Sequence, residues 1–319
     1  MQGLVTVFGG SGFVGVQVVR ALARRGWRVR VAARRPKEAY EVQPFGDVGQ
    51  IQLKRADVTD RRSVEAALEG ASACVNLVGI LHETFGRRFK DVHVDGARHV
   101  AEACATMGVR RLVHFSAIGA DAGAPSKYAR TKGEGEAAVM AAFPAATILR
   151  PSIIFGPDDG FFNRFAQLSG LTPFLPLFGG GETKFQPVYV GDVAQAVANA
   201  LADPGAAGRI FELAGPRVYS FKELMQLMLK ETCRSRVLLP LPHLAATMMG
   251  AVGDLQALVM TPILTSDQAV QLRRDNVAGE GSAGLSDLGV RATAAETILP
   301  TYLWRYRKGG QFAEAPAEG

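Results

Sequence analysis

Cysteine, charge and long apolar runs are all scarce in this chain of 319 residues. Three cysteines, Cys74, Cys104 and Cys233, are too few and too far apart for a disulfide framework or a CxxC metal site, and they suit a reducing compartment. The five histidines contain no HExxH-type pairing, so the sequence supports no metal centre. No uninterrupted apolar run reaches the roughly 18 residues of a membrane span. The chain opens almost at once on LVTVF, without the charged-then-apolar layout of a signal peptide. No repeat of solenoid period is present. Glycine and proline are scattered rather than periodic, which excludes collagen-like and low-complexity chains.

What remains is material for a globular protein. Hydrophobic residues make up 48% and charged residues 21%, enough apolar surface for a large core and too little charge for wholesale disorder. The net charge of +6 is unevenly spread: residues 1–150 hold 22 Lys/Arg against 14 Asp/Glu, and residues 151–319 hold 14 against 16. A basic first half fits nucleic acid, an anionic membrane surface or a phosphorylated cofactor. Aromatic residues do not interleave with the basic ones as stacking platforms would, which argues against nucleic acid.

From Leu4 to Leu149 short apolar runs alternate with helix-period segments. Strands are expected at Leu4–Phe8, Arg28–Ala32, Ile51–Ala56, Ala73–Leu77, Arg111–Ser116 and Ala146–Leu149. Val14, Val18, Ala21 and Leu22 share one face of the first helix, and Thr59 or Asp60 can cap the helix running toward Leu68. The alternation predicts right-handed βαβ crossovers: an α/β fold, a doubly wound parallel sheet of Rossmann type. After Arg150 the pattern loosens into loops rich in Pro and Gly. A run FQPVYV leads to a helix near Asp192, read as its cap, and RIFEL precedes a capping box, Ser220 with Glu223. Residues 1–150 are therefore expected to form the nucleotide-binding domain. Residues 151–308 form a smaller, irregular C-terminal lobe that partly returns to the sheet, and 309–319 a loose tail.

Strand Leu4–Phe8 runs into GGSGFVG and then into a helix. Glycines at 9, 12 and 15 suit a tight turn, a close backbone approach and a helix–strand contact. Free N–H groups and the helix dipole can then hold a diphosphate, placing Gly9, Ser11, Gly12, Phe13, Val14 and Gly15 at a dinucleotide. At the end of the second strand, where NAD binders carry an acidic residue, this chain has Arg34 and Arg35. Guanidinium groups there can bond a 2′-phosphate, so NADP(H) is expected, with NADPH preferred over NADH.

The glycine spacing, Asp57-Val58 after the third strand and Tyr128-Ala-Arg-Thr-Lys132 resemble the short-chain dehydrogenase/reductase superfamily in its extended or atypical branch. The resemblance implies that Asp57 and Val58 touch the adenine ring. It places Leu77, Val78 and Gly79 along the ribose and nicotinamide, Lys132 on the nicotinamide ribose, and Pro151 just after the sixth strand. Longer runs are more specific. SKYARTKGEGEAAVMAAFPAATILRPSIIFGPDDGFFNRFA, FQPVYVGDVAQAV, PILTSDQAVQLRRDNV and LPTYLWRYR together resemble the nucleotide-binding accessory subunit of respiratory complex I and its bacterial relatives. That subgroup implies complex I subunits as partners, possible peripheral membrane contact, and a cytoplasmic protein on the inner face of the membrane.

Tyr128 and Lys132 lie one helical turn apart, and a nearby ammonium lowers a tyrosine pKa toward working pH, which suits proton transfer to a carbonyl. The third member of the family's triad is a serine or threonine after the fifth strand. Ile118 stands where it aligns, and Ser116 and Ser126 are both candidate replacements. Two functions stay open: an accessory subunit that holds its cofactor, and an active NADP-dependent oxidoreductase or epimerase using Tyr128 and Lys132. The five histidines and the arginine pairs, 87/88 among them, read as structural or solvated. Val237–Ser266, with Asp254 its single charge, reads as either a core helix or an apolar docking surface.

Overall fold

The computed structural model describes residues 3–256 and 264–312. Two compact units are interleaved along the chain: residues 3–151, 191–213 and 280–291 form one, and the remaining described residues form the other.

The first unit carries strands β1 (Leu4–Phe8), β2 (Arg28–Ala33), β3 (Ile51–Arg55), β4 (Ala73–Asn76), β5 (Arg111–Phe115) and β6 (Thr147–Pro151). Its helices are α1 (Phe13–Arg24), α2 (Arg61–Leu68), α3 (Gly96–Thr106) and α4 (Lys127–Ala142). The chain continues through β7 (Ile154–Phe155), α5 (Phe162–Leu171), β8 (Phe174–Phe178), β9 (Lys184–Phe185), β10 (Val188–Tyr189), α6 (Val190–Ala202) and β11 (Ile210–Leu213). It ends with β12 (Tyr219–Ser220), α7 (Phe221–Glu231), β13 (Val237–Leu241), α8 (His243–Gln256), α9 (Ser266–Gln271) and short helical turns.

Seven parallel strands make the main sheet, in the order β11-β6-β5-β4-β1-β2-β3. Every strand expected in the first half is present, and RIFEL returns to the edge of the sheet beside β6, Ile210 opposite Ile148. Both faces are covered, so β1 and β4 are buried almost throughout, which is why their sequences are apolar apart from Thr6 and Asn76. The chain leaves β1 toward β2 on one side and resumes at β4 on the other. The crevice at the carboxyl ends of β1 and β4 is thus the topological switch point, where ligands bind in sheets of this kind. Behind it Cys74 and Cys104 lie in the core, and burial with Cys104 alongside pushes the Cys74 thiol well above its ordinary range. Both cysteines serve as small apolar residues.

Short-range capping signals in the sequence translate directly into structure. Asp60 caps α2 by accepting from the Arg62 N–H, and Ser220 with Glu223 forms the expected capping box on α7. Asp192 differs. The helix begins at Val190, so the carboxylate sits in the first turn and not at the cap.

The second unit packs aromatic rings edge to face. Phe161 and Phe162 are 5.1 Å apart, and Phe165 and Phe221 5.4 Å. Its two-stranded pair β8/β13 sets Phe174 opposite Val237 and Pro176 opposite Leu239. Phe174, Val237 and Leu239 are exposed, as are Leu244, Met248 and Met249 of α8, while Ala246 is buried. The expectation for Val237–Ser266 therefore divides: Ala246 and Leu264 join a small core, and the other side of the segment is an open apolar face. Residues 257–263, with Leu258 and Met260, the side chain of Leu255 and the tail beyond Phe312 lie outside the described residues.

Candidate functional site

β1 delivers the chain into the glycine turn. Gly9 has φ +78°, a left-handed conformation that side chains disfavour. A Cβ on Gly15 would lie 2.2 Å from the Gly9 carbonyl oxygen and 2.6 Å from the Gly10 Cα, so α1 reaches the turn only because residue 15 has no side chain. Gly12 is the N-cap of α1, extended and without a side-chain cap, and no acidic residue occupies the first turn. A Cβ there would meet nothing closer than 3.5 Å, so the space over it is open. The first-turn N–H groups and the positive end of the dipole are thus left for an anion.

Above this turn lies a cavity of about 240 Å³. Gly9, Ser11, Gly12, Arg34, Asp57, Val58, Leu77, Val78 and Gly79 line it, as expected from sequence, together with Ile80, Arg87 and Val92. Phe13, Val14 and Gly15 form the first turn of α1. Arg35 is not part of the lining: its exposed guanidinium is ion-paired with Glu38. Arg87, read as solvated, is instead in the wall and ion-paired with Asp57. Burial works against the Asp57 charge, but the N–H and hydroxyl of Thr59, at 3.1 and 2.9 Å, and the Arg87 guanidinium outweigh it and hold the carboxyl below its usual range.

A second group of side chains gathers on α4. Ser126 accepts from the Ala129 N–H at 3.2 Å as the N-cap, which accounts for its hydroxyl in local structure. Lys132 is buried and donates from Nζ to the Phe115 carbonyl at 2.7 Å. Burial lowers its pKa to about 8, against the pull of Glu136 one turn on. Glu136 is itself held by Arg150 through two bonds of 2.9 and 2.6 Å. Next to Phe115, Ser116 is the one buried side-chain oxygen among the described residues without a hydrogen-bond partner. Pro151 ends β6, and its carbonyl accepts from the Ile118 N–H at 3.0 Å.

Sequence reasoning missed His93. It lies in a single π-helical turn, Lys90–Asp95, that leads into α3, a geometry frequent at functional sites. α4 comes close because Gly135 has no side chain; a Cβ would stand 2.1 Å from the His93 carbonyl. His93 Nε2 accepts from the Ile80 N–H at 3.0 Å, so the ring proton sits on Nδ1 and is donated to Thr131 Oγ1 at 3.1 Å. The Tyr128 ring meets the imidazole edge to face at 5.4 Å. Burial, and then the Lys132 charge, press the His93 pKa down to about 3, so the ring is neutral. His93 thereby ties the helix of Tyr128 and Lys132 to the loop after β4.

These features fit a dinucleotide. The cradle at Gly12 admits a diphosphate, Arg34 supplies a cation at the end of β2, and the orphaned Ser116 hydroxyl and the Lys132 ammonium stand beyond Gly79 at the ends of β4 and β5.

Residues 5–214 match the model of the NAD dependent epimerase/dehydratase family. The mitochondrial NADH dehydrogenase (ubiquinone) 1 alpha subcomplex subunit 9 of Arabidopsis thaliana is 34% identical over 97% of this chain and 80% of its own length. The mitochondrial NADH-ubiquinone oxidoreductase 40 kDa subunit of Neurospora crassa is 30% identical over 98% of this chain and 82% of its own. Among solved structures, the UDP-glucose 4-epimerase of Thermus thermophilus in complex with NAD superposes with a TM-score of 0.70, at 20% identity, over 96% of this chain and 99% of that one.

Proposed function

The chain belongs to the NAD dependent epimerase/dehydratase family, in the group that contains subunit 9 of the complex I alpha subcomplex, and on that footing we propose that it is an NADP(H)-binding accessory or assembly subunit of respiratory complex I that holds its cofactor mainly as structure. One observation carries this reading. The family model stops at residue 214, yet the likeness to the complex I subunits continues through the irregular second half to cover 97% of the chain. The solved epimerase shares the fold over a similar length but is only 20% identical, against 34% for the complex I subunit.

In this reading the first turn of α1 holds the diphosphate, Asp57 and Val58 face the adenine, Arg34 receives the 2′-phosphate, and Lys132 with Tyr128 receives the nicotinamide ribose. A nicotinamide dinucleotide supplies hydride transfer when bound. The chain's own residues orient it and exclude water, but Ile118 offers no hydroxyl where the family's serine aligns, which removes a donor that would stabilise charge on a substrate oxygen. No described helix is long and apolar enough to cross a membrane. Peripheral attachment to the inner face of the cytoplasmic membrane, through complex I, would use the open apolar face of β13 and α8.

Nucleotide extracted from the purified protein is expected to be NADPH. Arg34→Ala should weaken NADPH by about 2 kcal/mol, the worth of a charged hydrogen bond, and leave NADH nearly unchanged. Equal affinities of the unmodified protein for the two cofactors would contradict the preference.

The second reading, an active reductase, draws on the intact Tyr128/Lys132 pair and on the unpartnered Ser116 hydroxyl beside Phe115, to which Lys132 bonds. A panel of carbonyl compounds with NADPH separates the two. The expected result is no turnover above background; a robust rate that Tyr128→Phe removes would establish the reductase instead.

A further inference from the structure

The cavity wall holds two arginines from different parts of the chain. Arg34 follows the last residue of β2, and Arg87 comes from the loop after β4. Arg87 is fixed by its backbone: Thr84 and Arg87 exchange N–H···O bonds of 3.1 and 3.0 Å across a two-residue turn in which Gly86 has φ +78°. The two guanidinium groups are close enough for the Arg87 charge to oppose that of Arg34. Like charges turned into one cavity repel each other unless an anion lies between them.

The anions already present do not balance them. Asp57 is the single acidic residue of the lining, with Oδ1 occupied by Thr59 and Oδ2 by Arg87. Glu38, the other carboxylate whose charge acts on Arg34, is taken by Arg35. Arg34 forms no ion pair among the described residues. A neighbouring hollow that shares Arg87 also contains Arg98, but Arg98 is satisfied by Asp95 and Glu102. Two cations therefore face the cavity with one carboxylate. A guanidinium has five N–H donors, and the Asp57 contact uses one from Arg87. The free donors of both arginines suit a phosphomonoester, a dianion with three acceptor oxygens.

We propose that Arg87, together with Arg34 and in place of Arg35, forms the recognition site for the ribose 2′-phosphate of the dinucleotide, with Asp57 as the counterion that holds Arg87 toward the cavity. The proposal deepens the cofactor reading and rests on it. Selectivity would then depend on a residue more than fifty positions from the β2 end, where selectivity is ordinarily read.

Titrations of NADPH and NADH against the full chain test it, with Arg87→Ala, Arg87→Lys and Arg35→Ala beside the unmodified protein. Arg87→Ala is expected to weaken NADPH at least tenfold while NADH changes less than twofold. Arg87→Lys should restore part of the loss, and Arg35→Ala should leave both affinities as they were. Unchanged NADPH affinity in Arg87→Ala, or equal loss of both cofactors, would overturn the proposal. If the unmodified protein binds neither cofactor, the cofactor reading itself fails, an outcome distinct from either.

Discussion

Gly15→Ala is expected to destabilise the protein by about 3 kcal/mol or more, the upper end of overpacking costs, and to abolish dinucleotide binding with it. The added methyl would lie 2.2 Å from the Gly9 oxygen and 2.6 Å from the Gly10 Cα, both backbone atoms with no side chain to swing aside. Either α1 withdraws from the turn or the turn unwinds from β1, and both movements spoil the anion cradle. Gly12→Ala is the control. Its methyl meets only the Gly9 oxygen, at 3.5 Å and in ordinary contact, so stability should hold while the space for the diphosphate is filled. Urea unfolding and NADPH titration of the two variants should give one protein that loses both properties and one that loses only affinity. A Gly15→Ala variant within about 1 kcal/mol of the unmodified protein would refute the geometry of the turn.

Acid is expected to destabilise the fold through His93 ahead of any carboxylate. The group titrates near 6.5 in an unfolded chain and near 3 in the folded one, because burial and Lys132 oppose its charge. Between those values the unfolded state binds the additional proton. Stability therefore rises with pH across this window, and is lost as pH falls from about 6.5 toward 3. The full loss is on the order of 5 kcal/mol, at about 1.4 kcal/mol for each pKa unit. His114, buried against Asn76 and also pressed well below its ordinary pKa, adds to it with the same sign. Unfolding free energies at about pH 7 and about pH 4.5 check the prediction. His93→Gln, whose Oε1 reaches as far as Nε2 and can still accept from Ile80, should be less stable at neutral pH but should lose about 2 kcal/mol less on acidification. An identical pH dependence in the two proteins would show that His93 does not titrate in this way.

The sheet was legible because buried parallel strands leave little choice: β1 and β4 are buried on both faces and mostly apolar, and β2 alternates Arg28 and Arg30 with the buried Val29 and Val31. The glycine turn was legible for a related reason, since only glycine allows the contact at residue 15. Residues that act across distance were less legible. Arg34 and Arg35 looked equivalent in sequence, although successive residues at a strand end point to opposite sides, so that one of the two had to turn away. Arg87 carried no local signal, because a tight turn thirty residues from Asp57 brings it to the wall. His93 carried no local signal: nothing beside it in sequence shows that α4 closes over it through Gly135. Ser126 offered a hydroxyl of the right type, and the structure spends it on a helix cap.

The central claim, a cofactor-loaded subunit docked on complex I, is tested most directly by recovering the tagged full chain from membranes solubilised in mild detergent and assaying one preparation for complex I subunits and for bound nucleotide. The account predicts both, with NADPH as the nucleotide. It further predicts that Leu244→Glu combined with Met248→Glu, two exposed apolar positions on α8, releases the complex I subunits while NADPH stays bound. A folded, unmodified protein recovered with its NADPH and without any complex I subunit would contradict it.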